Sequence, residues 1–449
     1  MKKTLSILLV LVMLLSLFVG CGKTEEAPAP AEKEETKTEE KAPEKEEEAE
    51  APEASDAEKV VKVGAVYPLT GAIAAIGTNC RAAIMLAADI VNGEYDSDLL
   101  LARNAGLEGY GNAKVEVIFG DSQGEPVNGQ SEAERLITQE GVCGIIGCYQ
   151  SATAVTVSQA CERAGVPFMC ADAVANSLSE SGYEYFFRSG IRDDAINYSY
   201  FNFLEELKGE GVAAETIALV YENTEWGTNA AKMQKQLAEE KGYTIVADIS
   251  YAANSTDVTS EVQKLKAADP DILIQSSYVS DAILFTKTYK NLNWAPPVLL
   301  VPSGGFTTPE YLETVGEDGY YACCADVWSL ELAATNPVIS FVNDKLQEDY
   351  GVQLDGISAR AFIGAITMFD AISRAGSDDP DAIAAALRET DIPADKLVAT
   401  WGVKFNEVGD NTEAQMLFTQ ILDGEYKVIW PTASASTEKV LPIPEWSAR

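Results

Sequence analysis

The sequence contains no histidine. That absence removes the commonest general base and the commonest transition-metal ligand from the chain. Basic residues are also scarce, with 33 lysines and arginines against 70 acidic residues and a formal net charge of −37. Because nucleic acids and anionic membranes reward clustered basic residues, this balance disfavours both as partners of the body. The chain also lacks a G-x-S-x-G elbow and a P-loop, so an enzyme is the least favoured class of function.

The cysteines do not form a metal or disulfide pattern. If Cys21 is set aside for the reason given below, seven remain, and an odd number argues against a complete disulfide framework. They lie in apolar stretches such as "GVCGIIGCYQ" and lack the C-x-x-C spacing of a metal cluster. The sequence therefore predicts small buried hydrophobic side chains, with no metal and no cofactor. The seven are Cys80, Cys143, Cys148, Cys161, Cys170, Cys323 and Cys324.

The N-terminus has the pattern of an export signal. Two lysines precede an apolar run from Leu5 to Val19, which is the length of a signal h-region and short for a membrane span. The run ends in "LFVGCG", which resembles a bacterial lipobox, so we predict a signal peptide over 1–20 and a lipid-modified Cys21. The alternative is an ordinary secretory signal or an uncleaved anchor in which Cys21 is incidental.

An acidic segment without aromatic residues follows the signal. Between residues 23 and 59 there are 15 acidic and 6 basic residues and four prolines. Such a composition cannot bury enough apolar surface to offset its ordering entropy, and like charges extend it. We therefore predict a disordered tether over 21–59, which would hold the folded body away from a membrane surface.

Strand-like and helix-like patterns alternate from residue 60 onward. Apolar runs such as "VVKVGAVYPL" and "TIALVYEN" predict buried parallel strands, and amphipathic segments such as "CRAAIMLAADIVNG" predict the helices between them. Two such series predict an α/β protein with two doubly wound parallel-sheet lobes. Lobe 1 would comprise 60–188 plus 325–400 and lobe 2 would comprise 189–324 plus 401–440. "VKFNEVGDN" and "AQMLFTQILDGEYKVIWP" predict a β-hairpin near the end of the chain.

Five stretches carry a family resemblance: "VGAVYPLTGAIAAIG", "GDSQGEPVNGQSEAERLI", "GIIGCYQSATAVTVSQACERAGVP", "YEYFFRSGIRDD" and "IALVYENTEWG". In their order and spacing they resemble the branched-chain amino-acid-binding lipoproteins of ABC importers, which have the type 1 periplasmic-binding fold. The resemblance implies a three-stranded hinge between the lobes, with crossings near 188–190, 322–325 and 399–402. A segment at 94–112 is an insertion relative to the family.

The resemblance implies ligand contacts on lobe 1. In "YQSATAV", Ser151, Ala152 and Thr153 match the segment that binds a ligand carboxylate at a helix start, where backbone N–H groups and the helix dipole favour an anion. Ser151 as a helix N-cap and nothing more is the alternative. In "CADAVANS", Val174 stands at the position of a threonine, and Asp172 would either pair with a ligand cation or cap the following helix.

The resemblance also implies contacts on lobe 2. Trp226 and Tyr278 match ligand-covering aromatic positions, although core or surface packing is the alternative for both. Ser303 stands where the family commonly has an acid. Because Val174 and Ser303 depart from the family pattern, the identity of the ligand stays open.

These observations predict an extracytoplasmic, lipid-anchored solute-binding receptor that delivers an amino acid or related carboxylate to the membrane permease of an ABC importer. Ligand capture would proceed by hinge closure. The alternative is a sensor that passes ligand occupancy to a membrane signalling partner.

Overall fold

Two sheets organise the chain in a computed structural model that describes residues 59–302 and 304–449. The predicted signal peptide, the lipidation site at Cys21, the tether up to residue 58 and the proposed ligand contact Ser303 lie outside the described residues.

The first sheet has five strands, all parallel, in the order β2-β1-β3-β4-β5. Strand β2 lies on one side of β1, and β3, β4 and β5 follow on the other side. This is the strand order of a doubly wound sheet, and it confirms the predicted fold class. The strands are β1 (Val60–Tyr67), β2 (Lys114–Asp121), β3 (Ile145–Gly147), β4 (Phe168–Cys170) and β5 (Phe186–Arg188).

Helices cover both faces of this sheet. Side chains alternate along β1, so that Val63, Ala65 and Tyr67 join one core cluster while Val66 joins another. The helices between these strands are α1 (Ala74–Asn92), α2 (Pro126–Arg135), α3 (Ser151–Ala164) and α4 (Ser177–Glu180). Helices α2 and α3 pack on each other and on the Val66 face.

The second sheet has seven strands, in the order β14-β13-β10-β9-β8-β6-β7. Strands β6 to β10 are parallel to one another, whereas β13 and β14 form an antiparallel hairpin at the edge. The parallel strands are β6 (Thr216–Glu222), β7 (Thr244–Tyr251), β8 (Ile272–Ser276), β9 (Val298–Pro302) and β10 (Cys323–Asp326).

The helices of this half follow β5 and alternate with strands β6 to β9. They are α5 (Asp193–Gly209), α6 (Glu225–Lys241), α7 (Thr259–Ala268), α8 (Val279–Asn291) and α9 (Pro309–Val315). Helix α5 packs on the hairpin edge through aromatic rings. The Phe203 and Phe418 rings stack with centroids 4.7 Å apart, and Tyr200 meets Phe418 edge-on at 5.6 Å.

After β10 the chain returns to the first sheet. Helices α10 (Pro337–Tyr350), α11 (Gly356–Ala375) and α12 (Pro380–Arg388) follow, and α11 contacts α1, β3 and β4. The chain then forms β11 (Asp391–Ile392) and β12 (Val403–Lys404), which pair only with each other, before β13 (Leu417–Leu422) and β14 (Glu425–Trp430). The second segment of the predicted hairpin forms β13 and β14. "VKFNEVGDN" is a separate antiparallel turn in which Phe405 pairs with Asn411, while Val403 pairs with Ile392, so the prediction of one hairpin across both segments is wrong.

Helices α1 and α11 are long and apolar enough to span a bilayer by composition. All of the most apolar stretch of α11 is buried inside the protein, as is most of that of α1. Their apolar character therefore serves the core between the helices and the first sheet.

Candidate ligand-binding site

The carboxyl ends of strands from both sheets meet at one cavity. Because ligands of open α/β sheets bind beyond the carboxyl ends of the strands, this is the place where a ligand site is expected. The cavity is narrow and partly open to solvent. Its lining residues are Tyr149, Ser151, Asp172, Val174, Trp226, Tyr278, Gly304 and Arg360.

Ser151 lines the cavity but does not cap helix α3. Gln150 is the last residue with an extended backbone (φ −88°, ψ 134°), and Ser151 is already the first helical residue. The predicted N-cap role of Ser151 is therefore wrong by one position. Its buried hydroxyl oxygen instead accepts a hydrogen bond from the Ala175 N–H at 3.3 Å, which leaves the hydroxyl hydrogen free to donate.

The start of α3 offers donors to the cavity. The first N–H groups of a helix have no partner within the helix, and those of residues 151–153 find no acceptor elsewhere in the described chain. The Tyr149 hydroxyl is buried and also has no hydrogen-bond partner among the described residues. Burial raises the pKa of Tyr149 well above its usual range, so the phenol keeps its hydrogen. Such a cluster of unpaired donors suits an anionic group.

Ala152 and Thr153 do not line the cavity. Thr153 is buried on the other side of the helix start, where a side chain at Gly129 of α2 would collide with its methyl group. The structure thus brings Ser151 to the cavity and uses the Thr153 side chain to pack α3 against α2.

Asp172 follows β4 and is held by two donors. The Tyr67 hydroxyl donates to Asp172 Oδ2 at 2.8 Å, and Arg360 Nε donates to Oδ1 at 3.2 Å. Arg360 Nη1 also lies 3.5 Å from Asp326 Oδ1. We call these four residues the buried charge network. Helix α4 begins only at Ser177 and has no side-chain cap, so the alternative that Asp172 caps the following helix is wrong.

Burial and pairing act in opposite directions on the network. Burial raises the pKa of Asp172 and of Asp326 to about 6, although Arg360 lowers both. Burial alone would lower the pKa of Arg360, but the two carboxylates raise it overall, so the guanidinium stays charged. Above pH 6 the network therefore carries two negative charges and one positive charge.

Aromatic rings form the opposite wall. The Tyr278 ring, at the start of α8, lies 4.9 Å from the Trp226 ring of α6. It also lies 5.4 Å from the Tyr149 ring, which comes from the first sheet. All three are nearly fully buried. The two aromatic residues predicted on lobe 2 thus line the cavity, and one of them touches the first sheet across it.

Val174 lines the cavity as predicted, but its carbonyl oxygen is already used. Arg188 Nη1 donates to it at 2.7 Å, and the Asp193 N–H donates at 2.8 Å. Because this carbonyl oxygen is occupied, Val174 offers a ligand only its apolar side chain.

Sequence reasoning missed Tyr149, Arg360, Tyr67 and Asp326. Tyr149 stands inside the motif "YQSATAV" that was already singled out, and Tyr67 ends a predicted strand. Arg360 had a signal of its own, because it is a single cation in the apolar helical stretch "ISARAFIGAITMF". A buried cation requires a buried acid, but the sequence does not say which one.

A family profile described as periplasmic binding protein matches residues 60–425. The chain belongs to this family. A Leu/Ile/Val-binding protein homolog 7 of Brucella abortus (strain 2308) is 28% identical over 399 residues, covering 87% of this chain and 96% of the relative.

Two solved structures of binding proteins share the fold. A leucine-binding protein, LivK, from Thermotoga maritima MSB8 superposes with a TM-score of 0.70 at 20% identity, covering 82% of this chain and 98% of its own. A solute-binding protein of an ABC transporter from Rhodopseudomonas palustris BisB5, in complex with 3,4-dihydroxybenzoic acid, has a TM-score of 0.69 at 18% identity, covering 87% and 99%.

Family membership fixes the broad function. This periplasmic binding protein is a solute-binding receptor, it works outside the cytoplasm, and it is not an enzyme. Within the described residues there is no group of three or more acidic or cysteine side chains that could hold a metal ion.

Proposed function

We propose that this protein is the solute-binding receptor of an ABC importer and captures an amino acid or a related small carboxylate by hinge closure. The observation that carries the proposal is the cavity at the strand ends of both sheets, which combines unpaired donors, a buried carboxylate and aromatic walls. A few placed polar groups in an otherwise apolar cavity are typical of small-molecule sites.

The donor cluster would hold the ligand's carboxylate. The Ser151 hydroxyl and the first N–H groups of α3 belong to one helix start, and Tyr149, two residues before Ser151, also lines the cavity. Charge-assisted hydrogen bonds from such donors are about twice as strong as neutral ones.

Asp172 would hold a cationic group of the ligand. It lines the cavity and accepts hydrogen bonds from Tyr67 and Arg360, which leaves lone-pair capacity on both of its oxygens. One structural neighbour is a leucine-binding protein and another was solved with an aromatic acid. The fold therefore accommodates both classes, and the extra negative charge beside this cavity favours a ligand with an ammonium group.

Hinge closure is proposed from the path of the chain. Lobe 1, built on the first sheet, would turn against lobe 2, built on the second sheet, about the three crossings between the sheets. Away from these crossings, the Ser177 hydroxyl of α4 donates to Glu225 Oε1 of α6 at 2.6 Å. This contact, like that of Tyr149 with Tyr278, joins elements of opposite sheets and would form only in the closed state.

Attachment to the membrane is proposed from the sequence alone. A lipid-modified Cys21 followed by the acidic tether would keep the receptor close to its permease. The sequence "LFVGCG" supports this part of the proposal.

A thermal-shift screen tests the solute class. We expect at least one of the twenty L-amino acids or of a series of small carboxylates to stabilise the protein. At a concentration of about 100 times the dissociation constant, one bound solute adds about 2.7 kcal/mol to the unfolding free energy. Absence of any shift across the panel would contradict the proposal.

Ser151→Ala tests the carboxylate end. Loss of a hydrogen bond to a charged group is worth roughly 1.5–3 kcal/mol, so the affinity should fall about tenfold to a hundredfold. Ser158→Ala is the matched control, because Ser158 is a buried serine of the same helix whose hydroxyl bonds to the Val155 carbonyl and not to the cavity. Since Ser151 also accepts from the Ala175 N–H, unfolding must be measured separately from binding. Equal affinities of both variants and the unmodified protein would refute this role.

A further inference from the structure

The buried charge network reaches beyond the cavity. Asp326 ends β10 in the second sheet and does not line the cavity, whereas Asp172 follows β4 in the first sheet and does. Arg360 of α11 contacts both carboxylates. Asp326 packs so close to the start of α11 that a side chain at Gly356 would lie 2.6 Å from its Oδ1. The network therefore links the cavity to the strand at which the chain leaves the second sheet.

Asp326, the second carboxylate of the buried charge network, makes the net charge of the network negative. Asp172 and Arg360 alone would form a neutral pair, which offers little net attraction to a cation. Asp326 adds one negative charge, and all three groups are almost completely buried, so solvent screens them weakly. We propose that Arg360 and Asp326 are positioning residues that aim Asp172 and keep the cavity selective for a ligand with an ammonium group. This inference rests on the proposed function.

The geometry gives each member a separate task. Tyr67 and Arg360 fix the two oxygens of Asp172 from β1 and α11. Asp326 is in turn fixed by the Val327 N–H at 2.7 Å and shares the guanidinium with Asp172. If Asp326 loses its charge, Arg360 has a single carboxylate partner in the network, and the attraction left for a ligand cation weakens.

Another carboxylate near the network is already committed. Asp355 caps α11, where its Oδ1 accepts from the backbone N–H groups of Ile357 and Ser358 at 2.9 and 2.7 Å. It adds negative potential to Asp172 and Asp326 but spends its hydrogen-bond capacity on the helix end. The charge of Asp355 stays at the helix end, whereas Asp326 adds its charge to the pair of Asp172 and Arg360 through direct contact with Arg360.

Asp326→Asn tests the inference without touching the cavity wall. The probes are the twenty L-amino acids together with 4-methylpentanoate and 3-phenylpropionate, which are leucine and phenylalanine without the amino group. Thermal shift selects the solutes that bind at pH 7.5, and titration calorimetry measures their affinities. Asp370→Asn is the control, because Asp370 pairs with Arg374 on the same helix at 2.7 Å but lies away from the cavity. If Asp326→Asn does not fold, Arg360→Lys replaces it in the test. A lysine keeps the positive charge but cannot contact Asp172 and Asp326 through two separate nitrogens as Arg360 does.

We expect Asp326→Asn to weaken amino-acid binding on the order of tenfold, because a unit charge close to the bound cation is lost. Binding of any carboxylate without an amino group should stay unchanged or tighten, because the lost charge repels an anion. All binding by Asp370→Asn should stay unchanged. A variant that only loosened the fold would weaken both classes of solute. Equal amino-acid affinities in Asp326→Asn and the unmodified protein would overturn the inference and leave the proposed function intact. Binding of carboxylates but of no amino acid by the unmodified protein would also overturn it. If no solute binds the unmodified protein, the proposed function itself fails.

Discussion

The carboxyl group of Asp193 should make the protein less stable as the pH rises. Asp193 begins α5, is 2% exposed, and its Oδ2 has no hydrogen-bond partner among the described residues. The nearby Arg188 donates hydrogen bonds from its Nη1 and Nη2 to the carbonyls of Val174 and Ala175, and its Nε lies 3.3 Å from Asp410 Oδ1. Burial therefore outweighs the attraction of Arg188 and raises the pKa of Asp193 from 3.8 to about 7.

The sign of the effect follows from proton linkage. Between pH 4 and pH 7 the folded state keeps a proton on Asp193 that the unfolded state has released, so the unfolding free energy falls as the pH rises. A shift of one pKa unit corresponds to about 1.36 kcal/mol, and this group should therefore lower the stability by roughly 2 to 3 kcal/mol between pH 5 and pH 8.

Asp193→Asn removes the ionisable group and should remove this loss. Urea unfolding followed by circular dichroism at pH 5 and pH 8 gives the free-energy difference between variant and unmodified protein at each pH. We expect that difference to shift in favour of the variant by roughly 2 to 3 kcal/mol at the higher pH. The control is Asp194→Asn, since the neighbouring Asp194 is partly exposed and pairs with Arg192 at 3.1 Å. A difference that is the same at both pH values would refute the reasoning.

Three other predictions concern packing, thiols and export. Gly364→Ala should destabilise the protein by about 1–3 kcal/mol in urea unfolding, because the new methyl would lie 2.8 Å from the Ala171 side chain between α11 and β4; unchanged stability would contradict this packing. The seven cysteines of the body are buried, and burial raises the pKa of Cys143 to about 12, so a thiol reagent at pH 8 should label them only after unfolding. Rapid labelling of the native protein would show that they are accessible. Cys21→Ser should abolish incorporation of labelled fatty acid, and an unmodified protein that takes up none is not a lipoprotein.

The local sequence patterns predicted where strands and helices lie better than they predicted which strands pair with each other. The apolar periodicity indicated α1 and strands of both sheets such as β1 and β6, because burial of a strand or a helix face leaves a repeat in the chain itself. The same reasoning joined "VKFNEVGDN" and the segment after it in one hairpin, although β12 pairs with β11 and Phe405 pairs with Asn411. Two residues of strand carry too little pattern to reveal the pairing partner.

For the site, the position of a residue after a strand end predicted that it lines the cavity, but the sequence did not predict what its side chain contacts there. Ser151, Asp172, Trp226 and Tyr278 each follow a strand end, and parallel strands bring such ends to the same edge. Whether Ser151 caps α3 depends on one backbone conformation, and the helix begins one residue earlier than the cap role requires. Thr153 looked equivalent to Ser151 in sequence, but the helix turns its side chain toward α2.

The sequence by itself determined the two-sheet α/β architecture and the segments that reach the cavity, since both follow from short-range periodicity and from the rule for strand ends. Only the tertiary structure decided which charges meet there. Arg360 is 188 residues from Asp172 and 34 from Asp326, and the three come together only when α11 packs against β4 and beside the end of β10. A buried charge needs a partner of opposite sign, but the sequence does not show which of its many acidic residues that partner is. The packing of α11 on the sheet decides which acidic side chains lie beside Arg360.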